Sequence, residues 1–142
     1  MPKDFVEVKI FDVVSLVTSI GRMPAILLED KEERILPVIV GEEVALSLKS
    51  AIEGTKMEEE DIWTIAYSII KESNGKVKEA IIHGVKGNRF LSYMTIGLMN
   101  KKMKIDCKPS DAISLAVRAK SPIKVAKEIM DELSFDKHQL KL

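Results

Sequence analysis

Twenty-two residues, Lys102–Ile123, restrict the fold of this chain more than any other stretch. They read KMKIDCKPSDAISLAVRAKSPI. Over Lys102–Lys108 the side chains alternate. Met103, Ile105 and Cys107 face one way, and Lys102, Lys104, Asp106 and Lys108 face the other, the period of a half-buried strand. Pro109 suits the first position of a helix, where its absent N–H would have had no partner. Ala112, Ile113, Leu115, Ala116, Val117 and Ala119 make that helix apolar over most of its girth, so it is largely buried. The exception is Asp111, Ser114 and Arg118, whose i, i+3, i+7 spacing forms one polar stripe. Ser121-Pro122 breaks the helix, and Ile123–Ala126 reads as a short strand.

The rest of the chain supplies the sheet. Phe5–Leu16 alternates Val6, Val8 and Ile10 against Glu7 and Lys9. Met23–Leu28 is an apolar strand beyond a turn at Ser19–Arg22, and Arg34–Val40 follows an acidic loop and reads as a central strand. Gly41 opens a helix with Glu42 and Glu43 in its first turn, where the helix dipole favours them. Val44, Leu48, Ala51 and Ile52 share its apolar face, and Gly54 is a natural stop. A second helix starts near Glu58, with Ile62, Ile65, Ala66 and Ile69 as its buried stripe, and ends at Asn74-Gly75. Lys76–Lys86 and Arg89–Met99 are strands around a Gly87-Asn88 hairpin turn. Asn100-Lys101 turns into Lys102–Lys108. Lys127–Leu133 is a final amphipathic helix.

The order β-β-β-α-α-β-β-β-α-β-α is α+β, and runs of adjacent strands favour a mostly antiparallel or mixed sheet with helices packed on it. A chain of 142 residues is one ordinary domain, large enough for a core without staples. The expected domain is 1–134, with 135–142 a peripheral tail.

Hydrophobic residues make up 46% and charged residues 31% of the chain, the balance of a soluble globular protein. No apolar run is long enough to span a bilayer. The start MPKDF lacks an apolar signal region, and the single cysteine cannot form an internal bridge, so the expected compartment is the cytoplasm. Net charge is zero but unevenly spread. Residues 1–75 carry −7, residues 76–127 carry +9 and residues 128–142 carry −2. A segment this basic suits phosphates, DNA or RNA among them; the structural alternative is that the halves neutralise each other.

The junction of strand and helix around Pro109 directs backbone N–H groups at an anion. Asp106 and Asp111 are oxygen ligands suited to Mg²⁺ or Mn²⁺, and Lys104 and Lys108 suit phosphate as point charges, with Ser110 and Arg118 alongside. Ser110 and Asp111 are also what any helix N-terminus prefers, with Asp111 reaching toward Arg118. His83 shares a strand face with Val77, Ile81 and Val85, which favours a hydrogen-bonded core or interface histidine over a catalytic base. Cys107 reads as a buried, inert thiol. The chain has no zinc ligand set, nucleophile elbow, phosphate-binding glycine loop or dinucleotide fingerprint. Trp63, Tyr67 and Tyr93 are too scattered for a base-stacking platform.

Asp106–Ile123 resembles the pattern D-x-[KR]-P-S-D-A-I-x-L-A-x-R-x-x-x-P-I of the bifunctional nuclease domain family. Leu36–Leu46 (LPVIVGEEVAL) and Ile81–Phe90 (IIHGVKGNRF) match in order, so the resemblance covers roughly residues 6–126. It implies a metal-dependent nuclease acting on DNA and RNA, and a homodimer. The catalytic candidates are Asp106, Asp111 and His83. One stretch departs from the family pattern. Where members often read R-P-x-T-H-D-L, this chain has Lys56, Met57, Glu58, Glu59, Glu60, Asp61 and Ile62. Only the aspartate remains, so Asp61 joins Asp106 and Asp111 as a candidate metal ligand, and Glu60 stands at the histidine position. The competing expectation is a non-catalytic homo-oligomeric module that binds nucleic acid or an anionic ligand.

Overall fold

The computed structural model describes residues 4–55 and 59–140. Its elements run β1 (Phe5–Thr18), β2 (Gly21–Glu29), β3 (Arg34–Ile39), α1 (Glu42–Glu53), α2 (Ile62–Glu72), β4 (Lys76–Lys86), β5 (Arg89–Leu98), β6 (Lys101–Cys107), α3 (Pro109–Ala119), β7 (Ile123–Ala126), α4 (Lys127–Leu133) and β8 (Phe135–Asp136). The fold is α+β in a single domain, as the pattern of elements indicated. None of the helices among the described residues is long and apolar enough to cross a membrane.

The eight strands form one mixed sheet in the order β6-β5-β4-β7-β1-β2-β3-β8. Only β4 and β7 run parallel; every other pairing is antiparallel. The first residues of β1 pair with β7 and the remainder with β2, so this one long strand joins the two wings. Val8, Ile26, Leu28, Leu36, Ala80, Ile82 and Val125 supply the sheet side of the core. Leu48 of α1, Ile113 and Ala116 of α3, and Met130 of α4 close over them. Complete burial of a leucine or isoleucine contributes about 1.5–3 kcal/mol, so this layer carries most of the fold's stability.

Four details differ from the sequence reading. The second helix begins at Ile62, with Asp61 as its N-cap accepting from the Thr64 N–H; Glu58, the expected start, lies outside the described residues. Three of the four residues expected to be buried on this helix face outward, Ile62, Ile65 and Ile69 being exposed by 64, 43 and 62%, while Ala66 turns inward as expected. Trp63, Tyr67 and Ile70 turn inward beside it. Both sets fit a 3.6-residue period, and the set containing two aromatics removes more surface from water. The β5–β6 turn is Met99-Asn100, one residue earlier than expected, with both φ values positive as a two-residue hairpin requires. The strand expected to be central, β3, is flanked on its outer side only by the two residues of β8, which come from the segment read as a tail.

Two β-bulges in β4 shape its wing of the sheet. The register shifts between Val77 and Glu79 and between Ile82 and Gly84, so Lys78 and His83 are extra residues with no opposite number on β5. A bulge breaks strict alternation and re-aims the side chain it carries.

Candidate functional site

A cleft of about 1090 Å³ opens where three distant parts of the sequence meet. One wall is the end of β3 and the start of α1, Pro37–Val44. A second is the β4–β5 hairpin, with His83 and Asn88–Ser92. The third is the end of β6 and the start of α3, with Lys104 and Asp106–Asp111, and Trp63 of α2 completes the lining. Neither helix that starts here is capped by a side chain, since its N-cap is Gly41 in α1 and Lys108 in α3. First-turn N–H groups therefore lack the usual side-chain acceptor, and the positive ends of both helix dipoles face the same space.

The polar lining is mixed in charge. Arg89, Lys104 and Lys108 are cationic, and Glu42, Glu43, Asp106 and Asp111 are carboxylates. Asp111 is oriented by the Trp63 indole, whose Nε1–H donates to Oδ1 at 2.9 Å. Lys104 Nζ stands 4.4 Å above the Tyr93 ring, close enough for a cation–π contact. His83 lies beside the same ring, centroids 5.4 Å apart, on the bulge that turns it toward the cleft. Burial, then the charges of Asp111 and Asp106, push the Cys107 thiol up to about 11. The thiol is protonated at neutral pH and is no nucleophile. Asp106 and Asp111 both line the cleft.

Of the residues singled out from sequence, His83, Lys104, Asp106, Lys108, Ser110 and Asp111 line the cleft. Asp61 and Arg118 do not. They lie in a second polar cluster that ties the three helices together. Arg118 donates from Nη2 to Ser47 Oγ at 2.6 Å, from Nε to Thr64 Oγ1 at 3.2 Å and from Nη1 to the Ser114 carbonyl at 3.1 Å. Its Nη2 is also 3.5 Å from Asp61 Oδ2, and its side chain is only 8% exposed. Asp61 accepts from Ser47 Oγ and from the Thr64 N–H. Burial alone would raise the Asp61 pKa, but the bonds from Ser47 and Thr64 and the charge of Arg118 outweigh it, and the value falls below the ordinary one. Burial lowers the Arg118 pKa against the charges of Asp61 and Glu60. All three Arg118 nitrogens bond within the protein and both Asp61 oxygens accept hydrogen bonds, so the two form a helix-tying cluster apart from the cleft. The expected contact of Asp111 with Arg118 is likewise replaced by the bond from Trp63.

Sequence reasoning passed over Glu42, Glu43, Trp63 and Arg89 as site residues. Three of them carried a signal: Glu42 and Glu43 lie in Leu36–Leu46, and Arg89 lies in Ile81–Phe90, two of the stretches that bear the family resemblance. Trp63 carried none.

A divalent metal fits this lining only in part. Among the described residues no three His, Cys, Asp or Glu side chains come together as a metal cage. Mg²⁺, however, keeps several waters and is commonly held by one or two carboxylates together with substrate phosphates. Asp106 and Asp111 offer that smaller set.

Comparison with known proteins covers most of the chain. Residues 25–138 match the model of the bifunctional nuclease domain. The chain is 30% identical over 110 residues to bifunctional nuclease 1 of Oryza sativa subsp. indica, a match covering 72% of this chain and 32% of that protein. It is 32% identical over 111 residues to bifunctional nuclease 2 of Oryza sativa subsp. japonica, covering 75% of this chain and 34% of that protein. The chain thus spans about a third of the length of the curated relatives it matches.

Proposed function

The chain belongs to the bifunctional nuclease domain family, and from that premise we propose that the cleft hydrolyses phosphodiester bonds of DNA or RNA with the help of Mg²⁺ or Mn²⁺. One observation carries the reading. The three sequence stretches that bear the family pattern, separated by 34 and 15 residues, supply the three walls of a single cleft. In this reading Lys104, Lys108 and Arg89 hold phosphate oxygens as charged donors, with Ser110 and the first-turn N–H groups of α1 and α3 beside them. Asp106 and Asp111 would hold the metal, which would supply charge neutralisation at the phosphate and lower the pKa of water. His83 is aimed by its bulge and takes one proton of the attacking water as the water oxygen bonds to phosphorus; the P–O bond to the leaving oxygen breaks, and that oxygen is protonated from solvent. Trp63 keeps Asp111 in one orientation.

A second reading, a non-catalytic homo-oligomeric module binding nucleic acid or an anionic ligand, is favoured by the lack of a three-residue metal cage among the described residues. The outward Ile62, Ile65 and Ile69 supply apolar surface for self-association in either reading.

Labelled single- and double-stranded DNA and RNA, incubated with Mg²⁺, Mn²⁺ or chelator, separate the two. Asp106→Asn and Asp111→Asn are each expected to slow metal-dependent cleavage about a hundredfold or more, in the range seen when one electrostatic stabiliser is removed. Cys107→Ser is expected to cleave as the native chain does. Cleavage that survives both aspartate substitutions would contradict this site. Salt-sensitive binding with no cleavage would establish the module instead.

A further inference from the structure

Eight cations lie between Lys76 and Lys108, against two carboxylates, Glu79 and Asp106. Glu79 is already paired with Lys124 at 3.1 Å. None of the eight forms an ion pair with a described residue, whereas Arg34, Arg118, Lys124, Lys127 and Lys137 all do. Placing so many like charges together without partners costs self-repulsion, and the cost is removed by a polyanion.

Their placement is linear. Lys76, Lys78, Lys101 and Lys102 line a basin of about 730 Å³ around the Met99-Asn100 turn. This basin is separate from the cleft and lies toward the opposite end of the β4–β5–β6 wing. The two are joined by β6, whose Lys101 and Lys102 belong to the basin and whose Lys104 and Asp106 belong to the cleft. At about 3.3 Å per residue, Lys101 and Lys108 stand about 23 Å apart along the strand. Local structure holds the basin's cations toward one another. The β4 bulge adds Lys78 out of alternation, and its stem lies across Gly97, where a Cβ would come within 2.8 Å of Lys78 Cε. The absence of a side chain at Gly97 leaves room for this stem to lie over the sheet. Since β6 is an edge strand, lysines there also discourage sheet-to-sheet pairing. That role explains charges on β6 but not those of β4 gathered into the same basin.

We propose that this basin is a second phosphate-binding site, which holds the backbone of a nucleic-acid strand whose continuation along β6 enters the cleft. The inference rests on the nucleic-acid reading of the cleft and extends it: the chain binds a polymer across about 23 Å rather than one phosphate group. Contacts with several phosphates make the affinity steeply salt-dependent.

The test is fluorescence anisotropy with a labelled single-stranded DNA 20-mer, in chelator, over a series of salt concentrations. Native chain is compared with K78Q/K101Q/K102Q and with K9Q/K31Q/K49Q, which removes three exposed lysines elsewhere. Removing the charges that neutralise three single-strand phosphates is expected to lower the slope of log affinity against log salt by about 2. Affinity near 100 mM salt is expected to fall about tenfold or more, with the control triple changed far less and the melting temperatures of all three alike. An unchanged slope overturns the proposal, as does an equal loss in the control, which would report net charge alone. Absence of binding by the native chain also overturns it. If the basin triple converts a dimer to a monomer on gel filtration and binds the 20-mer unchanged, the face is a self-association surface and the proposal fails. Cleavage assays keep the two readings distinct. A basin-dependent affinity without any cleavage sinks the nuclease reading and leaves the track, and cleavage with unchanged affinity in the basin triple sinks only the track.

Discussion

Helix α3 carries two polar regions that differ in one respect. At its far end Arg118 is enclosed by Ser47, Asp61, Thr64 and the Ser114 carbonyl, with each nitrogen matched. At its start Asp111, Ser110 and Lys108 open into a cleft beside Lys104, Arg89 and Asp106, and apart from the Trp63–Asp111 bond and the Lys104–Tyr93 contact these charges have few matches within the chain. The first arrangement holds three helices together. The second leaves charge to be satisfied by something from outside. Charge closed on itself reads as stability, and charge left open beside helix N-termini reads as function.

That contrast can be broken most sharply at the enclosed end. Arg118→Met is expected to leave the Asp61 carboxylate buried without its counter-charge and to cost about 3 kcal/mol, a fall of roughly 10 °C in melting temperature. A melt within 2–3 °C of the native chain, roughly the shift of a 1 kcal/mol change, would show that the cluster is not structural. Acid is the next lever. The folded Asp61 pKa lies below its ordinary value, so its contribution is complete above the unfolded value of about 4 and is lost as pH falls through the folded value. Denaturation midpoints measured between about pH 6 and 2 are expected to drop more steeply for the native chain than for Asp61→Asn. Parallel curves would sink that assignment. Trp63→Phe removes the hydrogen bond to Asp111 and keeps most of the ring, so a loss of about 1 kcal/mol is expected in chemical denaturation. Smallest of all is Lys104→Gln with Lys108→Gln. Stability is expected to stay within about 0.5 kcal/mol, while the salt slope for oligonucleotide binding falls by about 1.4, because two phosphates are no longer neutralised. A stability loss as large as that of Arg118→Met would erase the difference between the two regions.

Much of this could be read before any coordinates. The proline-led helix, the strand after it and the α4 boundaries follow from local rules of period, capping and breaking and stand where the pattern put them, and the strand before it is shifted by one residue. The cleft's polar residues near Pro109 were legible for the same reason: a strand end and a helix start are adjacent in sequence. What stayed hidden depended on distance or on a choice between equivalents. Nothing local says that Asp61 pairs with Arg118 across 57 residues, or that Trp63 rather than Ile62 and Ile65 turns inward when both faces fit the helical period. Bulges at Lys78 and His83 break the alternation on which the strand was read. That Glu42, Glu43 and Arg89 line the same cleft as Asp111 comes from sheet order, which pairing over long separations sets.

The account turns on the open cleft meeting phosphate, and an amide NMR titration tests that most directly. Isotope-labelled Asp111→Asn, chosen to suppress cleavage, would be titrated with a short single-stranded oligonucleotide in Mg²⁺. The expected result is that the largest saturable shifts fall on the amides of Glu42–Val44, Lys104–Lys108 and Ser110–Ala112. Shifts absent from those positions, or centred on the enclosed Ser47–Arg118 cluster, would contradict the account.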